Sequence, residues 1–470
     1  MAYTAVMERP GTKTVYRLSV ALIWALAVWN VWLARGLFID GSHALLNMMF
    51  DDGYALFYKS RETLMAVTQT PAALAILLGV TDSHLLGRLL SVGLFFLPTA
   101  YYHLCLSKAR QDPALLGAVL LAIAVVYMPT NFFAMGEYNT IMPAMLFVAL
   151  VVATAQRPTT ADGALLLGTA LILLRSYDTM LAFGPLAAFM LAWRLNTFGG
   201  RGPHVGFLLG YELYLGAALL FVAGASQSAL SLLSLLGEQP QGQLLETLTG
   251  MSLSGTNVQF VLPLAAIVIV TLAGIVLPRL LEGRALYLAA GLLLVLLALC
   301  PLMWLTADGT GRPLARAHYH TRIVSGFVVA AIIIAIWLYA ARPGWAPRAL
   351  AVLSQVKGGR NLMLFGLAAL LASLPADIQL SELWRRSVVV FQQTIASRPG
   401  LIDVHETPFA REPYNQMVET WTLASQSVVL RRTFRDGMIV PPRDFTGWQF
   451  FDGNAHMATK AERYLWRGAP

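Results

Sequence analysis

Long apolar runs separated by short polar loops are the dominant pattern of this chain. Eleven runs recur, and most have the length needed to cross about 30 Å of hydrocarbon as a helix. Helix is expected because lipid offers backbone groups no partner, and the period-2 alternation of barrel strands is missing. The runs lie at 18–38, 86–106, 114–130, 139–155, 163–175, 178–194, 205–225, 258–277, 285–305, 322–340 and 362–376. The pattern predicts a mostly α, polytopic transmembrane helical protein with about eleven spans.

Composition supports this class and narrows the partners. Hydrophobic residues make up 57% and charged residues 12% of 470 positions, and the mean hydropathy is +0.63. A soluble domain carries about twice that charge. The net charge of +8 does not indicate nucleic acid, because most Lys and Arg residues occupy loops between the runs. Cys105 and Cys300 both lie inside apolar runs and predict neither a disulfide framework nor a zinc site.

The distribution of positive charge predicts the orientation of the spans. With the N-terminus inside, the inside segments carry fourteen Lys and Arg residues, and the outside loops before the tail carry five. This bias predicts an N-in, C-out topology. The run at 18–38 exceeds the length of a signal-peptide core, so it is expected to remain as the first span. Arg175 to Asp178 divide 163–194 into two short helices, whereas a single bent helix would reverse every later orientation.

The predicted outside loops are long and the inside loops are short, which indicates that the functional site lies at the outer face. The first outside loop, 39–85, has apolar residues at helical spacing over 43–58, which predict a helix lying in the interface. A second apolar stretch after Pro71 is too short to span and is expected to be re-entrant or interfacial. The loop at 226–257 contains SALSLLSLL, another candidate interfacial helix.

The composition changes after about residue 377, where the chain becomes charged and rich in turn residues. This change divides a transmembrane module at 1–378 from a C-terminal periplasmic domain at 379–470. Within the tail, 381–396 predicts an amphipathic helix, while SQSVVLRR and GMIVPP predict short strands. A small α/β domain packed on the outer face is therefore expected.

Acidic residues follow the first run on the outer side. Asp40 stands at the exit of the first span with His43 three residues later, and Asp51 and Asp52 follow on the predicted interfacial helix. A carboxylate at a membrane boundary is costly unless it is solvated or functional. Both interpretations are open for Asp40. For the Asp51–Asp52 pair, the alternative to a site is a solvated helix face.

A second polar group lies beside the fourth span and at the break between the fifth and sixth. Glu137 and Tyr138 lie beside the fourth span, and Arg175 and Asp178 lie at the break between the fifth and sixth spans. Charges inside an apolar hairpin seldom lack a role, so these residues are candidates for substrate binding. The alternative is a structural ion pair between Arg175 and Asp178.

A third group precedes the tenth span and comprises Arg316, His318, Tyr319, His320 and Arg322. Guanidinium groups at an interface suit phosphate, because their donors match phosphate oxygens bidentately. The alternative is an anchor for lipid head groups. Two histidines at i, i+2 without a nearby carboxylate do not define a metal site. The sequence contains no phosphate loop and no GxSxG, HExxH or CxxC motif, so ATP-driven transport by this chain is not expected.

Four features occur in a characteristic order along the chain. They are FIDGSHALLNMMFDDGYALFY after the first span, the RSYD break, the HYHTR segment before a late span, and the outward C-terminal domain. This arrangement resembles the GT-C superfamily of integral-membrane glycosyltransferases. The resemblance implies an inverting transfer of a sugar from a polyprenyl-phosphate carrier, with an aspartate of the first loop as general base. That base would be Asp40. Many members show paired acids at this position, whereas this chain has Asp-Gly, so Asp51 or Asp52 is the alternative base.

The resemblance also implies roles for the other candidate residues. Arg322, with Arg316 or Arg175, would stabilise the leaving phosphate. Asp51 or Asp52 would bind sugar hydroxyls or ligate a divalent cation together with the base. The scheme requires no cofactor, although Mg²⁺ or Mn²⁺ is an option. The partners would be the polyprenyl-phosphate sugar, a lipid, glycan or protein acceptor, and membrane lipids.

The same scheme places the protein in a bacterial inner (cytoplasmic) membrane with its active site facing the periplasm. Two other functions remain as alternatives. A polymerase or ligase of undecaprenyl-linked glycan would share the outward face and the arginines without needing a first-loop acid. A lipid or solute transporter would place broken helices near the midplane, often in repeated halves, and the sequence shows no such repeat.

Overall fold

The architecture is known from a computed structural model, which describes most of the chain. The described residues are 10–56, 59–131, 138–198, 205–238, 315–341, 355–411, 413–442 and 461–468. The predicted spans at 258–277 and 285–305 lie outside these residues, as does Glu137.

Helices make up nearly all of the described secondary structure. The helices are α1 (Pro10–Trp32), α2 (Asp40–Phe50), α3 (Glu62–Leu77), α4 (Ser83–Ala109), α5 (Pro113–Ala122), α6 (Met128–Thr130), α7 (Tyr138–Thr154), α8 (Thr160–Leu173), α9 (Met180–Thr197), α10 (Val205–Glu238), α11 (Ala315–Ala341), α12 (Val356–Ser397) and α13 (Leu423–Leu430). A π-helical turn at Ile123–Tyr127 joins α5 to α6, and a 3₁₀ turn at Arg35–Leu37 follows α1. The strands β1 (Leu401–Asp403) and β2 (Met438–Val440) pair in parallel.

Five described helical segments are long and apolar enough to cross a membrane. They are Gly11–Trp32, Ser83–Ala109, Pro113–Thr130, Phe207–Ser231 and Lys357–Ser397. Three shorter apolar helices accompany them, at Tyr138–Thr154, Thr160–Leu173 and Ser325–Ala341. The predicted mostly helical class, with apolar helices of membrane-spanning length, is confirmed. The count of eleven spans and the orientation stay predictions.

The segment from 163 to 194 forms a hairpin of two helices packed on α10. Residues later in α8 contact residues later in α10. Residues later in α9 contact residues earlier in α10. The contacts are Gly163 with Leu213 and Leu174 with Gly224 for α8, and Gly184 with Phe221 and Phe198 with Tyr214 for α9. Helix α8 therefore runs parallel to α10 and α9 antiparallel. The two-helix interpretation is confirmed, and a single bent helix is excluded.

Contacts between helix ends show the same alternation elsewhere. Lys108 at the end of α4 forms an ion pair with Asp162 at the start of α8. Tyr339 at the end of α11 donates a hydrogen bond of 2.9 Å to Asp112, the residue that caps α5. These contacts place the ends of α4 and α11 beside the starts of α5 and α8, as expected for helices that cross in alternating directions.

The first loop contains two helices rather than one helix and a short insertion. The helix predicted at 43–58 is α2, which begins earlier and ends at Phe50. The apolar stretch after Pro71 belongs to α3, a 16-residue helix that contains this proline. Helix α3 ends in a Schellman motif, in which the N–H of Val80 donates to the carbonyl of Ala75 at 3.0 Å. Gly79 adopts the required left-handed conformation, with φ of 84°.

Replacing Gly79 with alanine should destabilise the protein by about 1 kcal/mol, because a Cβ is disfavoured at positive φ. Gly168, in the interior of α8, is the matched control. It has no positive φ, and an added Cβ would meet nothing within 4 Å. Gly168→Ala should therefore raise stability by roughly 0.5–1 kcal/mol through helix propensity. Thermal unfolding of the purified variants in detergent measures the change in stability caused by each substitution. Equal melting temperatures for the two variants would contradict the role given to Gly79.

Two helical predictions need correction because the helices continue where the sequence changes character. SALSLLSLL is not a separate interfacial helix but the end of α10, which runs unbroken to Glu238. The predicted boundary at 378/379 lies inside α12, and the predicted helix at 381–396 is the second half of it. With 42 residues, α12 is about 63 Å long, twice the thickness of the hydrocarbon layer.

The tail contains one strand where the sequence predicted it and one helix where it did not. GMIVPP contributes β2, as predicted. SQSVVLRR is not a strand, because its first six residues lie in α13, all of whose residues are buried. Since every residue of this short helix is buried, including Ser425, Gln426 and Ser427, it has no solvent-facing side whose period would distinguish helix from strand in the sequence.

The tail and the first loop share one hydrophobic core. This core combines buried side chains of α2 and α3, the start of α4, the second half of α12, and α13. Trp384 of α12 is central to it: its ring meets Phe38 at 5.7 Å, and its Nε1 donates to the carbonyl of Leu33 at 3.2 Å. The first loop is thus held between the end of α1 and the tail.

Candidate functional site

A single polar stripe opens along α2, which is otherwise buried. Asp40, His43, Asn47 and Phe50 are half-buried, and the other seven residues of the helix are buried. The spacing i, i+3, i+7, i+10 puts the four on one face. A helix whose accessible face carries a carboxylate, an imidazole and an amide presents acid–base and hydrogen-bonding groups in one line. Asp40 and His43, both predicted site residues, are therefore brought together.

Backbone geometry fixes Asp40 as the first residue of α2. The preceding residue, Ile39, has φ of 48° and ψ of −106°, a conformation that costs a β-branched residue of order 1–3 kcal/mol. Two hydrogen bonds hold this corner: the Gly41 N–H donates to Phe38, and the Ser42 hydroxyl donates to Leu37. A carboxylate at a helix N-terminus is also favoured by the helix dipole.

The tail supplies the opposite side of this stripe. The rings of His43 and Trp421 meet edge-to-face, with centroids 5.4 Å apart. Trp421 is held in turn by Glu419, whose carboxylate accepts a hydrogen bond of 2.5 Å from Nε1. On α2, the Asn47 amide donates to the carbonyl of His43 at 2.7 Å and lies 3.2 Å from its ring nitrogen. Groups from two distant parts of the chain therefore converge at His43, one helical turn from Asp40.

A buried charged cluster lies directly before this site. Arg35 is fully buried, and its Nη1 contacts Asn30 at 3.0 Å, Asp377 at 3.0 Å and Ser381 at 2.7 Å. Its Nη2 donates to Asn131 at 2.8 Å. The cluster joins the end of α1, the end of α6 and the middle of α12. It fixes the turn that leads into Asp40.

This cluster was not predicted from the sequence, although the sequence contains a signal for it. Arg35 falls inside the first apolar run, and Asp377 follows the last one by a single residue. Ionisable residues within or at the edge of spans usually face a partner, and opposite charges at the same predicted side of two spans are a candidate pair. The same reasoning cannot find Asn30 or Asn131, because neutral amides are tolerated more widely.

The structure separates Asp51 and Asp52 from Asp40. Asp52, which has φ of 55°, forms an exposed ion pair with Arg463 and lies 3.4 Å from the hydroxyl of Tyr464. Burial raises the pKa of Tyr464, so its hydroxyl stays a donor at neutral pH. Along α2, Asp51 is about 16 Å from Asp40.

This separation corrects the proposed sharing of a cation by these carboxylates. A divalent cation needs several oxygens within one coordination sphere. Across the described ranges, no three His, Cys, Asp or Glu residues lie close enough to hold a metal ion. The Asp51–Asp52 pair is better explained as the solvated end of α2, which Asp52 ties to the tail.

Arg175 and Asp178 occupy the turn between α8 and α9. Arg175 forms an exposed ion pair of 2.7 Å with Glu62, and its carbonyl accepts the N–H of Thr63 at 3.2 Å. These contacts tie the α8–α9 turn to the start of α3. The carbonyl of Asp178 accepts the N–H of Leu181 at the start of α9. Arg175 thus pairs with the first loop, and not with Asp178 as the structural alternative had it.

The remaining predicted site residues are placed only in part. Tyr138 is buried at the start of α7, and Glu137 lies just outside the described residues. The third polar group is helical, because α11 begins at Ala315. The structure gives the backbone of that first stretch of α11 but not the side chains of Arg316, His318, Tyr319, His320 and Arg322. Their assignment to phosphate stays a prediction.

The site thus consists of a carboxylate at a helix start, polar groups along the same face, and an aromatic–carboxylate pair from the tail. Comparison of the chain with protein-family models, curated proteins and solved structures found no match.

Proposed function

We propose that this chain is a membrane glycosyltransferase that moves a sugar from a polyprenyl-phosphate carrier to an acceptor at the outer face of the membrane. The observation that carries the proposal is the polar stripe of α2, which begins with Asp40 at the end of the first spanning helix. The acceptor is a lipid, glycan or protein hydroxyl.

Asp40 is the general base of this reaction. The acceptor oxygen attacks C1 of the sugar and forms the new glycosidic bond as Asp40 takes the hydroxyl proton. The bond between C1 and the phosphate oxygen breaks with its electron pair, and the phosphate leaves on its lipid. Attack opposite the leaving group inverts the anomeric centre. A half-buried carboxylate suits this role, because substrate reaches it while the surrounding buried residues limit water.

The leaving phosphate requires positive charge near the outer ends of the spans. Arg316 and Arg322, in the first turns of α11, are the residues assigned to this task. Their guanidinium groups would stabilise the charge that develops on the phosphate oxygen as the bond to C1 breaks. His43 and Asn47 lie one and two turns beyond Asp40 on the same face, where they suit sugar hydroxyls.

Purified protein in liposomes should consume at least one donor from a panel of polyprenyl-phosphate hexoses and pentoses. The expected products are free polyprenyl phosphate and an acceptor-linked or hydrolysed sugar of inverted configuration, measured by chromatography and NMR. Heat-denatured protein is the control. Lengthening of a pyrophosphate-linked glycan, without use of these donors, would identify a polymerase or ligase. Solute or lipid flux without sugar transfer would identify a transporter.

A further inference from the structure

We propose that Trp421 and Glu419 form a saccharide-binding wall beside the polar stripe of α2. The inference rests on the proposed sugar-transfer function, whose site it completes. The ligand class is a single sugar ring, which rests on the accessible surface of the Trp421 indole, beside the Asp40–His43–Asn47 face. The ring belongs either to the lipid-linked donor or to the acceptor, since both present the same chemistry to this wall.

The exposure of Trp421 distinguishes it from the other tryptophans of the shared core. Trp384 and Trp466 are buried, with 2% and 6% of their surface exposed, and fill the packing between the first loop and the tail. Trp421 is half-buried and stands at the edge of the polar stripe. Trp421 packs against the same core, but part of its surface stays accessible to a ligand.

The chemistry of the pair fits a sugar. A sugar ring has an apolar face of C–H groups and a rim of hydroxyls, and an indole offers a rigid apolar surface at low entropy cost. Glu419 fixes the indole through Nε1 and brings a half-buried carboxylate to the same place. A carboxylate accepts hydrogen bonds from hydroxyls, and the amide of Asn47 on the facing helix both donates and accepts.

The distance to the base also fits. Trp421 contacts the ring of His43, and His43 follows Asp40 by three residues on the same face of α2. Side chains at i and i+3 have Cβ atoms about 5–6 Å apart. A sugar resting on Trp421 therefore lies beside a residue that is one helical turn from Asp40.

Saturation-transfer NMR with methyl glycosides of glucose, galactose, mannose and arabinose tests the wall, using full-length protein in nanodiscs. The wild type should transfer saturation to the ring C–H protons of at least one glycoside. Trp421→Ala should weaken its binding roughly tenfold, and Trp421→Phe should keep it within about threefold, because an aromatic face remains. Phe434→Ala is the matched control: Phe434 is another aromatic of the tail, 59% exposed, and its loss should change nothing.

Kinetics with the wild type and Trp421→Ala then identify the source of the sugar. A rise in KM for the polyprenyl-phosphate donor alone assigns the wall to the donor, and a rise for the acceptor glycoside alone assigns it to the acceptor. Absence of glycoside binding by the wild type overturns the inference, as does unchanged binding by Trp421→Ala. If glycoside binding depends on Trp421 but the protein transfers no sugar, the saccharide-binding wall is supported and the proposed transferase function is contradicted. If sugar transfer depends on Asp40 but is unchanged in Trp421→Ala, the transferase function is supported and the wall is contradicted.

Discussion

Asp40→Asn should lower the turnover of sugar transfer by roughly 10²–10⁴-fold, the usual contribution of a positioned general base. Asparagine has nearly the same size as aspartate, and the helix-dipole stabilisation lost with the charge is only about 0.3–1 kcal/mol, so the fold should be kept. The amide cannot take a proton from the acceptor hydroxyl. KM for the donor should change little, because binding of the lipid phosphate does not use this carboxylate. Initial rates in liposomes, at saturating donor, measure the effect.

Asp52→Asn is the matched control for this prediction. Asp52 is also an aspartate of the first loop, but its carboxylate is 63% exposed and pairs with Arg463. An exposed ion pair contributes about 0–1 kcal/mol, so the turnover of Asp52→Asn should stay within about twofold of the wild type. Full turnover by Asp40→Asn, together with loss of turnover by Asp52→Asn, would move the base to the end of α2 and contradict the proposed site.

The helical framework was predictable because it depends on local patterns. Apolar runs of membrane length predict the long apolar helices, and four consecutive polar residues at 175–178 predict the turn of the α8–α9 hairpin. The same patterns failed where helices continue through a change of composition. Helix α12 crosses its predicted boundary because a helix needs no change in backbone geometry where its sequence turns from apolar to charged.

The arrangement of the tail was not predictable, since it depends on contacts between distant residues. Asp82 and Leu465 form a bridge in which the N–H of Ser83 donates to the carbonyl of Leu465 at 3.0 Å. The hydroxyl of Ser83 donates to the carbonyl of Val429 at 2.7 Å. No local pattern in the sequence predicts such contacts. The sequence therefore suggested a separate small domain packed on the outer face, whereas the first loop and the tail share one core.

Of the candidate site, the residues of α2 were predictable from the sequence and the residues of the tail were not. Asp40 and His43 stood out because a charged and a titratable residue at the exit of a span are uncommon. Trp421 and Glu419 did not, because an aromatic and an acid in a polar tail have many ordinary roles. Trp421 and Glu419 become candidate site residues only in the fold, which brings the ring of Trp421 to 5.4 Å from that of His43.

Arg35→Met should destabilise the protein by about 3–5 kcal/mol, the usual result of leaving a buried charge without its partner. Asp377 would remain, with only 2% of its side chain exposed and its Oδ2 already lacking a donor within the described part of the chain. Arg175→Met is the matched control: its ion pair with Glu62 has 44% and 40% of the two side chains exposed, and its loss should cost about 0–1 kcal/mol. Unfolding of purified protein by SDS in mixed micelles measures both variants.

The double variant Arg35→Met/Asp377→Leu separates the cost of an orphaned charge from the loss of a necessary contact. If the orphaned charge dominates, the double variant should recover most of the stability lost by Arg35→Met, because well-packed apolar residues often replace a buried ion pair without penalty. Recovery of stability without recovery of turnover is the expected outcome. The cluster also aligns the turn from Arg35 to Ile39, which sets the position of Asp40, and apolar side chains do not reproduce its four hydrogen bonds. Equal stability of Arg35→Met and Arg175→Met would contradict the central place given to this cluster.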